Sequence, residues 1–348
     1  MTTTDYALRR PTDLQDHYWP PVHEFAGLGT RLAAFIALAP LEQADFLVRA
    51  RFDRETHAAM IHDCLADIYA YHFGYRDGAC TARTDDELEA KLLGAKLLLE
   101  RELLDSWLDP APVTHGVVTQ EDAASYLAAL AATNLGASHE LFDFLATRAS
   151  RRAIDTLLRC ELIRNEVVDD EVAMLVVGLQ GQLKATVSSN LWDECGHGRL
   201  QHFHTFWLRR LLDHNDDWQE IADYRASALP WFARITSNVN AMLLSRPAHK
   251  LMAYGCFLAF ESWVEPHFRR ILAGMRRVGL HDAEARVYFT SHVTIDPFHS
   301  RQLIDGLRAQ CPALTPDEVT QVVRGAHLGV AAGVAQFDRM LPYLRSLS

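Results

Sequence analysis

The sequence predicts an all-α bundle, and three observations predict it. Ala (46) and Leu (47) together exceed a quarter of the 348 residues, and these two residues lose least on entering a helix. Apolar residues recur at helical spacing through most of the chain. No stretch of useful length alternates with the two-residue period of a strand.

Taken in order, residues 1–30 are rich in proline and turn formers and read as an irregular arm. From Leu32 to about Phe73 the apolar residues fall at helical spacing, as in FLVRARF and AAMIHDCLADIYAYHF, and Asp85–Leu108 fits a further helix. The segment DPAPVTHG at 109–116 holds two prolines, a glycine and no periodic pattern. It divides an N-terminal arm and helical extension, residues 1–116, from a helical core, residues 117–348. In the core, Thr119–Ala132 opens on T-Q-E-D, with acidic residues in its first turn. Further helices are predicted over Ser138–Asn165, Asp169–Gly178, Gln182–Asp193, His202–Leu212, Trp218–Ala228 and Pro230–Leu244. His249–Val278, Asp282–Asp296, His299–Gln310 and Asp317–Leu344 complete the set. Gln182–Asp193 runs into a glycine-containing break, ECGHG.

Composition excludes some function classes. A formal net charge of -11 argues against duplex nucleic acid as a main partner, because phosphate binding needs a basic face. No apolar run approaches the roughly 20 residues that span a bilayer. The segment MTTTDYALRRPTDLQDHYWPP lacks the apolar core of a secretory signal. These features predict a soluble, cytoplasmic protein with no membrane partner. Cys64, Cys80, Cys160, Cys195, Cys256 and Cys311 are scattered without a CxxC pair and read as free thiols.

Four segments can carry chemistry. The sharpest is His292-Val-Thr-Ile-Asp296-Pro-Phe-His299. At about 100° per residue, positions i, i+4 and i+7 span an arc of roughly 60° on one helix face. Two imidazoles and a carboxylate on one face suit iron or manganese; two solvent-facing histidines beside a surface Asp fit the same spacing. Pro297 lies inside the motif and predicts a local kink. The second segment is Asn190-Leu-Trp-Asp-Glu194-Cys-Gly-His-Gly198-Arg-Leu-Gln-His202-Phe-His204. On a straight helix Glu194 and His204 would stand about 15 Å apart, too far for one site with metals about 3.5–4 Å apart. Gly196 and Gly198 can break the helix and return His204 to Glu194, or serve as a plain C-cap with exposed histidines. The third is Cys160-Glu161-Leu-Ile-Arg-Asn-Glu166, where Glu161 shares a face with Leu157, Leu158 and Asn165. A carboxylate among apolar neighbours needs a metal or an ion pair, for which Arg164 is at hand. The fourth is Ala259-Phe-Glu261-Ser-Trp-Val-Glu265, in which Glu261 sits where an apolar run meets a polar one and Glu265 reads as solvated. Phe203, Phe206 and Trp207 read as core. GxSxG, GxxxxGK[ST] and GxGxxG motifs are absent, as is His/Cys zinc spacing.

As an ordered set these segments resemble the heme-oxygenase-like diiron oxidase and oxygenase superfamily, the iron-containing redox enzymes, over roughly residues 117–345. The residues that carry the resemblance are Glu161, then Asp169-Asp170, Lys184 and Asn190-Leu-Trp-Asp-Glu194, then Gly196, Gly198 and His204. Arg276-Arg-Val-Gly279, Tyr288-Phe-Thr-Ser-His292, Asp296 and His299 follow. The resemblance implies a heme-oxygenase-like helical bundle. It implies Glu161, Glu194 and His204 on one side of a metal site, with Glu261, His292, Asp296 and His299 on the other. Together these would bind two Fe(II) ions, with Glu194 bridging them and O2 as co-substrate. His197 and His202 compete with His204 for this role, Glu166 with Glu161, and Glu265 with Glu261. The implied enzyme is a non-heme diiron oxidase or oxygenase of a small organic substrate. An acidic protein suits an amine- or amino-acid-derived substrate, changed by N-oxygenation, desaturation or oxidative C–C cleavage. The first hundred residues match no motif and leave a homodimer contact or a lid open to them. Two other readings stand beside this one. A metal-free relative of the thiaminase or quinone-cofactor synthase type would use Cys or Glu as nucleophile or base. A helical interaction protein would have no inward His/Glu cluster. A ferritin-like bundle would need ExxH pairs on two helices, and only Glu194-Cys-Gly-His197 comes near one.

Overall fold

Helix is the only regular structure among the described residues, 29–74, 86–113, 116–133, 135–211 and 218–348, of the computed structural model. The fold is all-α and heme-oxygenase-like, as the sequence predicts. The arm expected over residues 1–30 lies, up to residue 28, outside the described residues, as do Asp85, Thr114 and His115.

The N-terminal helices are α1 (Thr30–Ile36), α2 (Pro40–Ala50), α3 (Arg54–Phe73) and α4 (Asp86–Glu102). Asp53 caps α3 by accepting from the Glu55 and Thr56 amides, and Gly74 ends it in the left-handed conformation. A π-helical turn, Leu103–Trp107, finishes α4. Next come α5 (Gln120–Thr133), α6 (Leu135–Ser138), α7 (Glu140–Thr147), α8 (Arg151–Asn165), α9 (Val168–Val176) and α10 (Gly181–Glu194). After the glycine break stand α11 (His204–Arg209), α12 (Trp218–Ser227) and α13 (Ile235–Leu244). Three long helices close the chain: α14 (Lys250–Arg277), α15 (Val287–Arg308) and α16 (Pro316–Ser346). A capping box of Thr315 and Glu318, with Pro316 in the first turn, starts α16.

Three boundaries differ from the sequence expectation. The helix predicted over Ser138–Asn165 is two, because Ser150 turns out of α7 and caps α8 through the Ala153 amide. The pair predicted as Asp282–Asp296 and His299–Gln310 is one helix, α15. Asp282 forms a turn with the Glu284 and Ala285 amides instead of a helix start, and the chain stays helical through Pro297. The segment His202–Leu212 begins as a short 3₁₀ turn, Leu200–His202, before α11.

Two hydrophobic clusters share the long helices. One joins α1, α3, α4 and α5 to α9, α10, α13 and the first half of α14. The other joins α7 and α8 to the second half of α14 and the end of α16. The N-terminal helices are also fastened by polar contacts. Glu100 is fully buried, accepts from Tyr69 Oη at 2.8 Å and pairs with Arg246 at 2.6 Å. Asn238 on α13 donates to the His62 carbonyl of α3 at 2.8 Å. Helices α14 and α15 therefore have their ends gripped on both sides, and the residues of interest lie near their middles, where the clusters meet.

Helix α16 lies so close to α14 that two glycines are required. A Cβ on Gly255 would overlap the Val322 carbonyl, and one on Gly325 would overlap that of Met252. Ala usually improves on Gly in a helix by about 1 kcal/mol; backbone overlap reverses the sign here. Gly325→Ala should destabilise the protein by roughly 1–3 kcal/mol in chemical denaturation. Gly94→Ala, at a helical glycine with no neighbour in the way, should leave stability unchanged or raise it.

Candidate metal centre

Helices α10, α11, α14 and α15 bring six of the seven sequence-predicted residues together. The break after Glu194 does the local work. Gly196, His197 and Gly198 all have positive φ, 52°, 56° and 76°, and reverse the chain. A Cβ on Gly196 would overlap the His202 backbone, so glycine is needed where the returning strand of chain passes. His204 then opens α11 and places Nδ1 2.9 Å from Glu194 Oε2. Its ring meets that of His292 at 4.4 Å between centroids. Glu194, His204 and His292 form one buried triad whose donor atoms all lie within 4.8 Å of one another.

A second triad of the same closeness joins Glu261 of α14 to Asp296 and His299 of α15. His299 Nδ1 stands 3.4 Å from Glu261 and 3.7 Å from Asp296. All six side chains are buried, Asp296 to 1% exposure and His299 to 0%. The turn-and-a-bit of helix between His292 and Asp296 carries the motif from one triad to the other.

The competitors are elsewhere. His197 is 62% exposed, stacks on Trp192 and bonds Asp193. His202 is exposed. Glu166 pairs with Arg225 at 2.5 Å, and Glu265 pairs with Arg269. Glu161 belongs to neither triad, but it lines the same cavity as Glu194, Glu261, His292 and Asp296. Its carboxylate accepts from Asn165 at 3.1 Å. Arg164, the ion-pair partner that the sequence offers Glu161, bonds Glu171 at 2.9 Å instead. Burial consequently raises Glu161 to about 7, with Arg164 and Asn165 offsetting only part of it.

The donor atoms point at each other without satisfying each other. Both oxygens of Asp296 have no hydrogen-bond partner among the described residues, while Glu194 Oε2 faces only His204 Nδ1 and Glu261 Oε2 only His299 Nδ1, across the triads themselves. Buried polar atoms are nearly always partnered, and an unpaired buried carboxylate is costly. Burial, with Glu261 and Glu194 close by, pushes Asp296 far above the usual carboxylate range. Burial also raises Glu261. Burial lowers His299, but the Glu261 and Asp193 carboxylates overcome it and bring it to about 9. Burial raises Glu194, and the facing His204 imidazole reverses this, holding it at about 2. Protons thus do in part what a cation would do better.

Outer contacts fix the imidazoles. His292 Nδ1 donates to the Tyr288 carbonyl at 2.7 Å, which leaves Nε2 for the triad. His299 Nε2 donates to Asp193 at 3.1 Å, which leaves Nδ1. Trp207 stacks on His204 at 5.0 Å. Metal-binding histidines characteristically have such second partners. The sequence reading quoted Asp193 and Tyr288 within the motifs of Glu194 and His292 but gave neither of them a role.

The iron-containing redox enzyme family model matches residues 155–334 of the chain, a span that takes in all seven residues. The chain belongs to this family. No curated protein matches it by sequence. Among iron-containing redox enzymes the donor set here makes chemical sense. One triad is two imidazoles and a carboxylate, the set that non-heme Fe(II) oxygenases use with open positions. The other is two carboxylates and an imidazole, a harder and more negative set. No helix of the described residues is long and apolar enough to cross a membrane.

An orphaned carboxylate gives a sign that can be tested without iron. A raised Asp296 binds a proton in the folded state that the unfolded chain, at about 3.9, has released. Metal-free stability therefore falls as pH rises above that value. In chelator, Asp296→Asn should be more stable than the parent at pH 7–8 in urea denaturation. The two should converge towards pH 4. Asn less stable at every pH would contradict the orphaned site.

Proposed function

We propose that this iron-containing redox enzyme is a non-heme diiron oxidase or oxygenase of a small amine- or amino-acid-derived substrate. The observation that carries the reading is the pair of adjacent buried triads whose donor atoms lack other partners. Glu194, His204 and His292 would hold one Fe(II), and Glu261, Asp296 and His299 the other. Glu161 would join from α8, and Glu194 would lie between the ions. Four carboxylates offset the four positive charges of the metals, so the loaded site is near neutral and can stay buried. Bound Fe(II) supplies O2 activation, which no side chain of this chain can supply.

The chain's own groups would bind, orient and exclude water. A cavity of about 130 Å³ adjoins the triads. Phe142, Phe257, Phe260, Phe268 and Phe337 line it and keep it dry. Glu161 and Glu171 also line it, against a single guanidinium, Arg164. Glu171 closes on Arg164, and the aromatic faces of the wall favour a cationic amine. The Tyr288 ring lies tilted against that of His292, 4.2 Å between centroids, on the same wall.

A metal-free reading with a cysteine nucleophile finds little support. Burial raises Cys195 to about 11 and Cys160 to about 12, whereas a nucleophilic cysteine needs a lowered value.

Anaerobic Fe(II) titration followed by exposure to O2 with candidate amines, read by mass spectrometry, tests the proposal. Two equivalents of iron and an oxygenated, desaturated or chain-shortened product are expected. His292→Ala and His299→Ala should each remove one equivalent and all turnover while far-UV circular dichroism is unchanged. Full two-iron retention in both variants would refute the assignment.

A further inference from the structure

We infer that Asp193 and His197 form a latch that positions His299, so that a surface turn controls the triad of Glu261, Asp296 and His299. The inference rests on the two-metal reading above and extends it to residues outside the metal site. Asp193 uses both oxygens, each on a different imidazole. Oδ2 accepts from His299 Nε2 at 3.1 Å, and Oδ1 accepts from His197 Nε2 at 2.6 Å. One of these imidazoles is fully buried and the other is 62% exposed. Asp193, with 27% of its side chain exposed, therefore connects the site to the protein surface.

The turn bears the marks of a built feature. His197 is the only non-glycine residue with positive φ among the described residues, a conformation uncommon for a side chain with a Cβ. Flanking glycines at 196 and 198 share the left-handed region and let the chain reach it. Trp192, exposed, lies parallel to the His197 ring at 5.8 Å with 16° between planes. It also covers Gly198, where an added Cβ would stand 3.4 Å from the indole. A plain surface turn would not need an unfavourable backbone at His197, a stacked indole and a bond to the carboxylate that holds His299 Nε2. Strain of this kind persists where surrounding contacts over-determine it.

The consequence is asymmetric. His292 of the other triad is oriented by its own helix, through the Tyr288 carbonyl, and His204 by its stacking on Trp207. Only His299 relies on a side chain whose second oxygen is held from the surface. Breaking the latch frees the His299 ring to turn its Nδ1 away from Glu261 and Asp296, and leaves the first triad as it was. Asp193 and His197 are positioning residues; neither touches substrate.

Co(II) titration of the full-length protein, followed by its d–d absorption, tests the latch. His299→Ala identifies the equivalent that belongs to the second triad. Asp193→Ala should weaken that equivalent by about 10–100-fold, the usual effect of losing an outer partner of a metal-bound histidine. The equivalent lost in His292→Ala should be unaffected. His197→Ala should act in the same direction by less. His197→Gln should restore most of the parent value, because its amide nitrogen reaches the place of the imidazole Nε2 and still offers an N–H to Asp193. A merely structural role would move both equivalents together or neither, and either outcome in Asp193→Ala overturns the latch while leaving two-metal binding in place. A parent protein that takes up no Co(II) overturns the metal reading itself and the latch with it.

Discussion

Glu194, Glu261 and Asp296 are three buried carboxylates brought into one place, and the rest of the structure has to hold them there. Burying three acidic groups side by side is costly whether they ionise or take up protons, and favours rotation of their helices until each acid reaches water. Rotation is blocked on both sides. The first half of α14 is embedded in one hydrophobic cluster and its second half in the other. Helix α16 is locked against α14 by glycine-to-backbone contact at Gly255 and Gly325. Tyr254 of α14 donates to the Leu303 carbonyl of α15 at 2.6 Å and fixes that pair as well. Turning any of these helices would expose apolar surface at roughly 25 cal/mol per Å². The hydrophobic packing therefore stabilises an electrostatic arrangement that is unfavourable on its own. That trade is characteristic of sites kept for function rather than stability.

What the sequence made legible follows from whether the information was local. The helical class and the order of the helices came from periodicity, since a 3.6-residue pattern needs no tertiary input, whereas their number did not: one predicted helix is two and two predicted helices are one. His292, Asp296 and His299 could be grouped for the same reason. Their division between two triads could not. The face angle separates them by little, but His292 and His299 are about 10 Å apart along the helix axis, and each level meets different helices. Glu194 and His204 were joined in the sequence only through the glycines between them. The same glycines equally allowed a simple helix cap, and only the return of the backbone past Gly196 decides for the closed turn.

Glu161 shows the opposite limit. Its apolar neighbours made burial readable, and it is half-buried, beside the predicted Asn165. Its pairing was not readable, because the sequence offered Arg164 three positions away whereas the fold gives Arg164 to Glu171 of the next helix. Asp193 was passed over for a related reason. A residue next to a strong candidate in sequence points elsewhere on a helix, about 100° round, and its value appears only when α15 packs across α10. The helix ends were misjudged wherever a single side chain decided them. Ser150 as a cap and Asp282 as a turn former are each one hydrogen-bonding group acting against a continuous apolar pattern.

The arrangement of ligand types around the cavity bears on how substrate and iron would share it. Glu161, Glu194, Glu261, His292 and Asp296 line the cavity, while His204 and His299 stand behind them. The rear imidazoles are the ones held from outside, by Trp207 and by Asp193. Imidazole offers one nitrogen in a fixed direction, whereas a carboxylate offers two oxygens and can change how many it uses. A rigid rear and an adaptable front place the freedom to open coordination positions on the side where a substrate would arrive. The cavity is also close in size to one that holds a benzene-sized molecule, so the space beside the front carboxylates admits a small molecule and little water. The Arg164–Glu171 pair at its wall is closed on itself at 2.9 Å, and this leaves Glu161 with Asn165 as its hydrogen-bond partner beside that space. With burial raising it to about 7, Glu161 is present near pH 7 both as the acid, which can donate a proton there, and as the carboxylate, which can accept one. Under the two-iron reading proposed above, Glu161 would serve both iron entry and amine entry.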